Sequence, residues 1–263
     1  MDRITKYLQR IGYTGTPRAD YNTLQDLQRL HLQAIPYENL DIMRDIPLSL
    51  ETDDIYKKII LRNRGGYCFE LNALFAWLLK NLGYSVTDCM ARFLRDETTI
   101  PMRRHRVLKV ACGEGEYLCD VGVGGIVPRT PLPIITGKVS EQNGEKYVLE
   151  KDDFLGYVLY EWRHDTWRKL YSFTDEPQLE ADFIGISFYC EKHPESFFRT
   201  QDMVHIFTSD GRKSVAGREV RLFSPDGVKV LTPATEAAYH ELLHMHFGIQ
   251  LLNPSNTGGK YFG

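Results

Sequence analysis

One cysteine, Cys68, lies where a cysteine side chain can act as a nucleophile, directly after the glycine pair Gly65-Gly66. Apolar residues recur between positions 71 and 82 at the spacing of a helix face, and Gly83 follows as a helix stop. Cys68 is therefore predicted on the first helical turn, where free N–H groups and the helix dipole lower the pKa of a thiol. The glycines are expected to leave the sulfur open to approach. The alternative is a buried, apolar cysteine.

A nucleophilic cysteine needs a histidine within hydrogen-bond reach, and one of the eight histidines has a carboxylate placed to orient it. His105 begins one predicted strand, and Asp120 lies near the end of the next. If Gly113-Glu114 form a two-residue type II′ turn, Asp120 lies opposite Val107 and on the same face as His105. A thiol, an imidazole and a carboxylate in series can carry out acyl transfer or hydrolysis.

Four segments of the sequence stand together in an order and at a spacing that one protein family shares. They are Ile35-Pro36-Tyr37-Glu38-Asn39-Leu40-Asp41, Arg64-Gly65-Gly66-Tyr67-Cys68-Phe69-Glu70-Leu71-Asn72, His105-Arg106-Val107-Leu108 and Asp120-Val121-Gly122-Val123-Gly124-Gly125. In these segments the chain resembles the arylamine N-acetyltransferases, and the resemblance covers nearly its whole length. Such a set is far more specific than any single motif.

The resemblance implies a catalytic triad of Cys68, His105 and Asp120. Cys68 would take acetyl from acetyl-CoA as a thioester and pass it to an aromatic amine, hydrazine or hydroxylamine in a ping-pong reaction. A cysteine hydrolase or transglutaminase-like acyl transferase is the alternative, because it uses the same triad up to the thioester. A non-catalytic binding protein with the same fold is a third possibility.

The resemblance also implies ligand contacts outside the triad. Tyr37, Val123 and Gly124 are expected to touch the substrate, and Gly124 and Gly125 the pantetheine arm of acetyl-CoA. The family often has an aromatic residue where this chain has Val123, so we expect a wider pocket without that stacking surface. A glycine-rich turn between strands is, however, also explained without any ligand.

The elements that must position these residues change in character along the chain. We predict an α+β fold with a helical domain at 1–83, a β-barrel domain at 84–182 and an α/β lid at 183–263. The family resemblance implies a papain-like or transglutaminase-like catalytic core, in which Glu38 and Arg64 brace the catalytic helix unless they are simply solvated charges. Helices are predicted at 4–11, 22–35, 49–62, 183–190 and from Thr232-Pro233 to Gly248, and strands at 84–94, 105–112, 116–123, 146–150, 155–161, 167–173, 203–208, 213–216 and 219–223.

Composition narrows the class of protein. The 263 residues are 43% hydrophobic and 25% charged with a net charge of −3, which indicates an ordinary globular protein and disfavours nucleic acid and membranes as partners. The N-terminal residues carry no signal-peptide or transmembrane pattern, so a cytoplasmic location is expected. Five cysteines without a C-x-x-C pair fit a reducing compartment and disfavour disulfides and cysteine zinc sites.

Two motifs that suggest other chemistry fail on their context. His240-Glu241-Leu242-Leu243-His244 matches the zinc pattern H-E-x-x-H, but the sequence supplies no third ligand at a suitable spacing, so no metal is expected. The segment that begins at Gly122 resembles G-x-G-x-x-G, but it has Val127 at the last glycine position, followed by Pro128. A dinucleotide-binding site is therefore excluded there.

Overall fold

The computed structural model describes residues 1–125 and 127–251. It contains helices, an eight-stranded sheet and a smaller five-stranded sheet. The helices are α1 (Arg3–Arg10), α2 (Tyr21–Ala34), α3 (Leu40–Met43), α4 (Thr52–Tyr56), α5 (Cys68–Asn81), α6 (Asp182–Lys192) and α7 (Glu236–Phe247), with a π-helical turn at Lys57–Leu61 and a 3₁₀ turn at Phe197–Arg199. The strands are β1 (Tyr37–Glu38), β2 (Ser85–Phe93), β3 (His105–Cys112), β4 (Gly115–Cys119), β5 (Leu132–Pro133), β6 (Ser140–Gln142), β7 (Glu145–Asp152), β8 (Gly156–Arg163), β9 (Thr166–Phe173), β10 (Met203–Phe207), β11 (Arg212–Ala216), β12 (Glu219–Ser224) and β13 (Gly227–Leu231). The fold is α+β, as the sequence predicts.

The larger sheet is antiparallel, with the strand order β5-β4-β3-β2-β9-β8-β7-β6, and it curls into a near-closed barrel. Its inward side chains join one apolar core with α5, and strands β2 and β3 pack against the helix that begins at Cys68. The smaller sheet has the order β1-β10-β11-β12-β13. Its first strand comes from the helical part of the chain, which ties that part to the C-terminal sheet.

Helix α5 is the centre of the core. The sequence predicts one apolar face, but every residue from Cys68 to Ala76 is buried, including the polar side chains of Glu70 and Asn72. A helix buried on all sides is typical of a core element. Its polar side chains must therefore find partners inside the protein, and these partners build the site described below.

Several predicted boundaries were wrong. The final helix begins at Glu236 and not at Thr232-Pro233, because Thr235 caps it by accepting a hydrogen bond from the Ala238 N–H at 3.1 Å. The preceding residues form β13, which the sequence reading missed although Pro225-Asp226 is a turn signal before it. The predicted helix 49–62 is shorter, starting at Thr52, and ends in the π-helical turn.

The predicted ends of three further segments have different outcomes. Helix α7 ends at Gly248, whose φ of +69° is the left-handed conformation expected of a stop. The predicted strand 116–123 ends early, at Cys119. The last residues of the predicted lid, 252–263, lie outside the described residues. Among the residues described, no helix is long and apolar enough to cross a membrane.

Candidate active site

Cys68 is the first residue of α5, and the chain before it is tightly folded. The Tyr67 N–H donates to the Glu70 carboxylate at 3.1 Å, which caps the helix one residue before the cysteine. A Cβ atom at Gly65 would overlap the Pro36 carbonyl oxygen, so this position requires glycine. The glycine pair thus packs the catalytic turn against the chain near Pro36, and it does not open the approach to the sulfur.

The Cys68 thiol is buried, which reverses one expectation from the sequence. Only 2% of the residue is exposed, and burial raises the pKa of the thiol well above its ordinary value. The N–H groups of Arg106 and Phe69 act in the opposite direction but are outweighed. The prediction of a pKa lowered by the helix N-terminus was therefore wrong for the isolated thiol. A thiolate here needs a proton acceptor that becomes a cation beside it.

His105 and Asp120 are placed to act as such an acceptor and its orienting partner. Their side chains are joined by a hydrogen bond of 2.7 Å between Nε2 and Oδ2, and both residues are buried. The β3–β4 hairpin has the register that a two-residue turn predicts, with Leu108 opposite Cys119, and Gly113 has a φ of +58°. Continuing the register by one residue sets Asp120 opposite Val107, on the face of His105.

The sulfur lies beside the start of the same strand. Cys68 Sγ is 3.8 Å from the carbonyl oxygen of Arg104, the residue before His105. Because Nε2 of His105 is engaged by Asp120, Nδ1 is the ring nitrogen left to exchange a proton with a ligand or with the thiol. The rings of Phe93 and Tyr171 flank the imidazole at centroid distances of 6.2 and 5.5 Å. They restrict its rotation and keep water from its faces.

Asn72 lies in the segment around Cys68, but its contacts in the site could not be predicted from the sequence. Its Nδ2 donates to the Arg106 carbonyl at 2.6 Å and to Asp120 Oδ1 at 3.0 Å, and its Oδ1 accepts the Val121 N–H at 3.0 Å. The Gly122 N–H also donates to Asp120 Oδ1, at 2.8 Å. Two N–H groups, from Asn72 and Gly122, therefore hold the carboxylate that orients His105.

The loop after Asp120, which carries Val123 and Gly124, packs against Cys68 and Tyr37. A Cβ atom at Gly122 would lie 2.7 Å from the Cys68 Cα atom, and one at Gly124 would lie 2.5 Å from the ring of Tyr37. Both glycines are needed for these close approaches. The structure thus brings Tyr37 and Gly124 together near Cys68, while Val123 is buried at 6% exposure.

Gly125, the last of the predicted ligand residues, lies at the outer end of this loop. A Cβ atom there would lie 3.3 Å from Arg95 Nη1, whose guanidinium also pairs with Glu161 at 2.8 Å. The backbone of this glycine is therefore close to a positive charge. Glu161 neutralises this guanidinium through two hydrogen bonds, of 2.8 and 2.9 Å.

A buried network of five charged residues braces the start of α5. Arg64 makes two hydrogen bonds to Glu38, at 2.8 and 2.9 Å, and one to Asp41 at 2.7 Å. Lys58 contacts Asp41 and Glu70, both at 2.8 Å. The Glu38–Arg64 pair is buried, so the interpretation of two solvated charges does not apply. Lys58 and Asp41 were missed, because pairing over such sequence distances leaves no periodic signal.

The rejected zinc motif lies on α7. His240 contacts Glu236 at 3.1 Å, and His244 is exposed on the same helix. Within residues 1–125 and 127–251, no three His, Cys, Asp or Glu side chains are grouped as a metal ion requires. The five cysteines are all free and buried.

The chain is similar to known proteins over most of its length. A family model described as N-acetyltransferase matches residues 20–255. A protein named arylamine N-acetyltransferase from Mycobacterium tuberculosis (strain ATCC 25618 / H37Rv) is 36% identical over 261 residues, which cover 97% of this chain and 92% of that protein.

Solved structures give the same similarity. The structure of the M. tuberculosis arylamine N-acetyltransferase has a TM-score of 0.87 at 36% identity, covering 94% of this chain and 93% of that one. The Mycobacterium marinum arylamine N-acetyltransferase, solved in complex with CoA, has a TM-score of 0.86 at 34% identity, covering 94% and 92%.

Proposed function

This chain belongs to the arylamine N-acetyltransferase family, and we propose that it transfers acetyl from acetyl-CoA to arylamines through a thioester on Cys68. It is an acyltransferase that uses acetyl-CoA as its acetyl donor. The observation that carries the two-step mechanism is the His105–Asp120 hydrogen bond of 2.7 Å beside a buried cysteine at a helix N-terminus. We assign the nucleophile to Cys68, the acid and base to His105 and the orienting group to Asp120.

In the first step the Cys68 sulfur attacks the carbonyl carbon of acetyl-CoA while His105 takes the thiol proton. The C–S bond to CoA then breaks, and the imidazolium returns that proton to the leaving CoA sulfur. Because burial raises the pKa of the thiol, the proton must move as the attack occurs or form a thiolate–imidazolium pair. Asp120 stabilises the positive charge on the ring during this step.

In the second step the amine attacks the acetyl thioester. His105 takes a proton from the attacking nitrogen, the bond between the acetyl carbon and the Cys68 sulfur breaks, and the thiol is restored as the proton returns to it. The product is the N-acetylated amine. The proposed acceptors are aromatic amines, hydrazines and hydroxylamines. The burial of Cys68 disfavours water as the competing acceptor.

Ligand contacts are proposed for the loop residues and Tyr37. Tyr37, Val123 and Gly124 would touch the acceptor, and the backbones of Gly124 and Gly125 the pantetheine arm. The support is the close packing of Gly124 on the Tyr37 ring next to Cys68. We further propose a division into domains at 1–83, 84–182 and 183–263, and a cytoplasmic location, which five free cysteines favour.

The test is the intact mass of the protein after brief incubation with acetyl-CoA alone, followed by addition of an arylamine. We expect one acetyl adduct, mapped to Cys68, which persists until the amine arrives. Cys68→Ala should give no adduct, and Cys112→Ala, which removes another buried thiol, should behave like wild type. An adduct lost equally fast without amine would indicate a cysteine hydrolase, and no adduct would refute acetyl transfer through Cys68.

A further inference from the structure

One face of the five-stranded sheet carries a row of aromatic and basic side chains. Tyr37 is paired with His205 across β1 and β10, and Phe207 with Arg212 across β10 and β11. Directly paired residues share a face, and so do His205 and Phe207, two positions apart. The intervening residues of β10 face the other way and pack against α7. These four side chains therefore lie on the face turned away from α7.

This row begins at the nucleophile. The ring of Tyr37 packs on Gly124, and burial together with the nearby Cys68 raises the pKa of the tyrosine. At the other end, the Arg129 guanidinium lies over the Phe207 ring, 4.5 Å from its centroid. Arg129 lies four residues after Gly125 in the chain, so its guanidinium brings a charged group from beyond this loop onto the face of the sheet.

Positive charge exceeds negative charge at this end of the row. The nearest carboxylate to Arg129 is Glu145, at 3.8 Å, and Glu145 also accepts a hydrogen bond of 2.9 Å from Tyr147. Arg212 has no carboxylate oxygen within 4 Å among the described residues. Burial lowers the pKa of Arg212, and the nearby cations Arg163 and Arg129 act in the same direction against the opposite effect of Glu145. Glu145 thus faces the two guanidinium groups of Arg129 and Arg212.

Two nitrogen atoms in this cluster lack partners. Arg129 Nε and His205 Nε2 are buried and have no hydrogen-bond partner within the described parts of the chain. Burial and the two arginines lower the pKa of His205 to about 3, so its ring is neutral at physiological pH. Buried polar groups are normally paired, and the unpaired Arg129 Nε–H next to a second guanidinium group indicates a missing acceptor with negative charge.

We propose that Arg129, Arg212 and His205 form an oxyanion subsite of the transfer cleft. It would take either the carboxylate of an acidic arylamine or a phosphate group of the CoA donor, since guanidinium groups bind both through paired N–H groups. The proposal rests on the acetyl transfer proposed above and deepens it by naming the charge of the ligand group that is recognised.

The test compares charged and neutral ligands in the variants Arg129→Gln and Arg212→Gln. KM is measured for para-aminobenzoate and para-anisidine as acceptors, and for acetyl-CoA and para-nitrophenyl acetate as donors. The Kd of CoA is measured by titration calorimetry, independently of turnover. Arg168→Gln, at an exposed position on β9, is the control. We expect KM for one charged ligand to rise about tenfold or more, with its neutral counterpart unchanged.

The pattern of changes identifies the source of the anion. A rise for para-aminobenzoate alone assigns the subsite to the acceptor carboxylate, and a rise in acetyl-CoA KM and CoA Kd assigns it to the donor phosphates. Equal effects on charged and neutral ligands, or none, would overturn the proposal. Arg212→Lys serves if a glutamine variant does not fold. Absence of all turnover by wild type would instead refute the acetyltransferase proposal.

Discussion

Asn72 and Asp120 are joined by a hydrogen bond of 3.0 Å, which ties the helix of the nucleophile to the carboxylate of the barrel. Asn72 lies four residues after Cys68, on the same face of α5. Its side chain also holds the carbonyl of Arg106, the residue after His105, at 2.6 Å. One amide thus fixes the relative positions of all three members of the proposed triad.

Asn72→Ala should therefore slow catalysis without preventing folding. We expect kcat to fall roughly 100-fold with a smaller change in KM, because the imidazole loses its fixed orientation toward the sulfur. Steady-state kinetics with acetyl-CoA and an arylamine measure this effect. Asn81→Ala is the matched control, because the Asn81 side chain lies on the same helix and, within residues 1–125 and 127–251, is hydrogen bonded only to the Trp77 carbonyl. A kcat within about twofold of wild type would show that Asn72 does not position the triad.

Asp120→Asn should have a larger effect. An amide at this position can hold the wrong tautomer of His105 and cannot stabilise the imidazolium, so we expect kcat to fall by up to about 10⁴-fold. The rate of Cys68 alkylation by iodoacetamide should fall as well, because less thiolate forms. Asp153→Asn, at an exposed turn, controls for the loss of one carboxylate. Unchanged alkylation in Asp120→Asn would separate Asp120 from thiol activation.

Gly122→Ala tests the close packing of the catalytic loop on α5. The new Cβ atom would lie 2.6 Å from Asn72 Nδ2 and 2.7 Å from the Cys68 Cα atom, so the loop or the helix must shift. We expect a loss of about 1–3 kcal/mol in unfolding free energy and a strong loss of kcat. Gly185→Ala, in α6 with no atom within 4 Å of the new Cβ, should be neutral or stabilising. Equal behaviour of the two variants would contradict this packing.

The parts of the site that follow from local geometry could be predicted from the sequence. The pairing of His105 with Asp120 needs only the two-residue turn at Gly113-Glu114 and the period of a strand. The place of Cys68 at the start of α5 needs only the helical spacing and a glycine stop. Both depend on residues fewer than about twenty positions apart, where one register fixes the contact.

The parts that depend on distant contacts could not be predicted. The predicted direction of the Cys68 pKa shift was wrong, because burial in the folded protein outweighs the effect of the helix terminus. The helix sequence alone gives no measure of that burial. Lys58 lies in a predicted helix, where a lysine is normally exposed. Only the fold brings it to Asp41 and Glu70, since both carboxylates are carried by other elements.

Lys58→Met should destabilise the protein strongly. The side chain of Lys58 is 12% exposed and contacts two buried carboxylates. Its replacement by Met would leave both carboxylates with fewer cationic partners. We expect a loss of about 3–5 kcal/mol in unfolding free energy measured with urea. Lys57→Met removes the adjacent, exposed lysine and its contact with Asp54, and should cost less than about 1 kcal/mol.

The pH dependence of this loss gives a second measurement. Burial raises the pKa of Glu70 even in the presence of Lys58, and removing the cation raises it further. A protonated carboxyl group needs no counter-charge, so the deficit of Lys58→Met relative to wild type should shrink as the pH is lowered toward the titration of Glu70. A deficit that stays constant over this range would mean that lost packing, and not the unpaired charge, causes the instability.

His31 should make the stability of the protein sensitive to mild acid. The residue is buried, its Nδ1 is 2.6 Å from the Tyr7 hydroxyl, and burial lowers its pKa from 6.5 to about 3. The unfolded chain therefore binds a proton below pH 6.5 that the folded protein does not bind. The contribution of His31 to the unfolding free energy is therefore unchanged above pH 6.5 and falls as the pH drops toward 3. At pH 5 the unfolding free energy is lower by roughly 2 kcal/mol.

His31→Gln isolates this contribution. The variant lacks the titrating ring, so the difference in its unfolding free energy between pH 7 and pH 5 should be smaller than that of wild type by roughly 2 kcal/mol. The range above pH 5 is chosen because most carboxylates are ionised there in both states. His244→Gln, at an exposed position on α7, should keep the wild-type difference. If His31→Gln kept it too, His31 would have to be protonated inside the folded protein, and its ring would not be excluded from water as the structure requires.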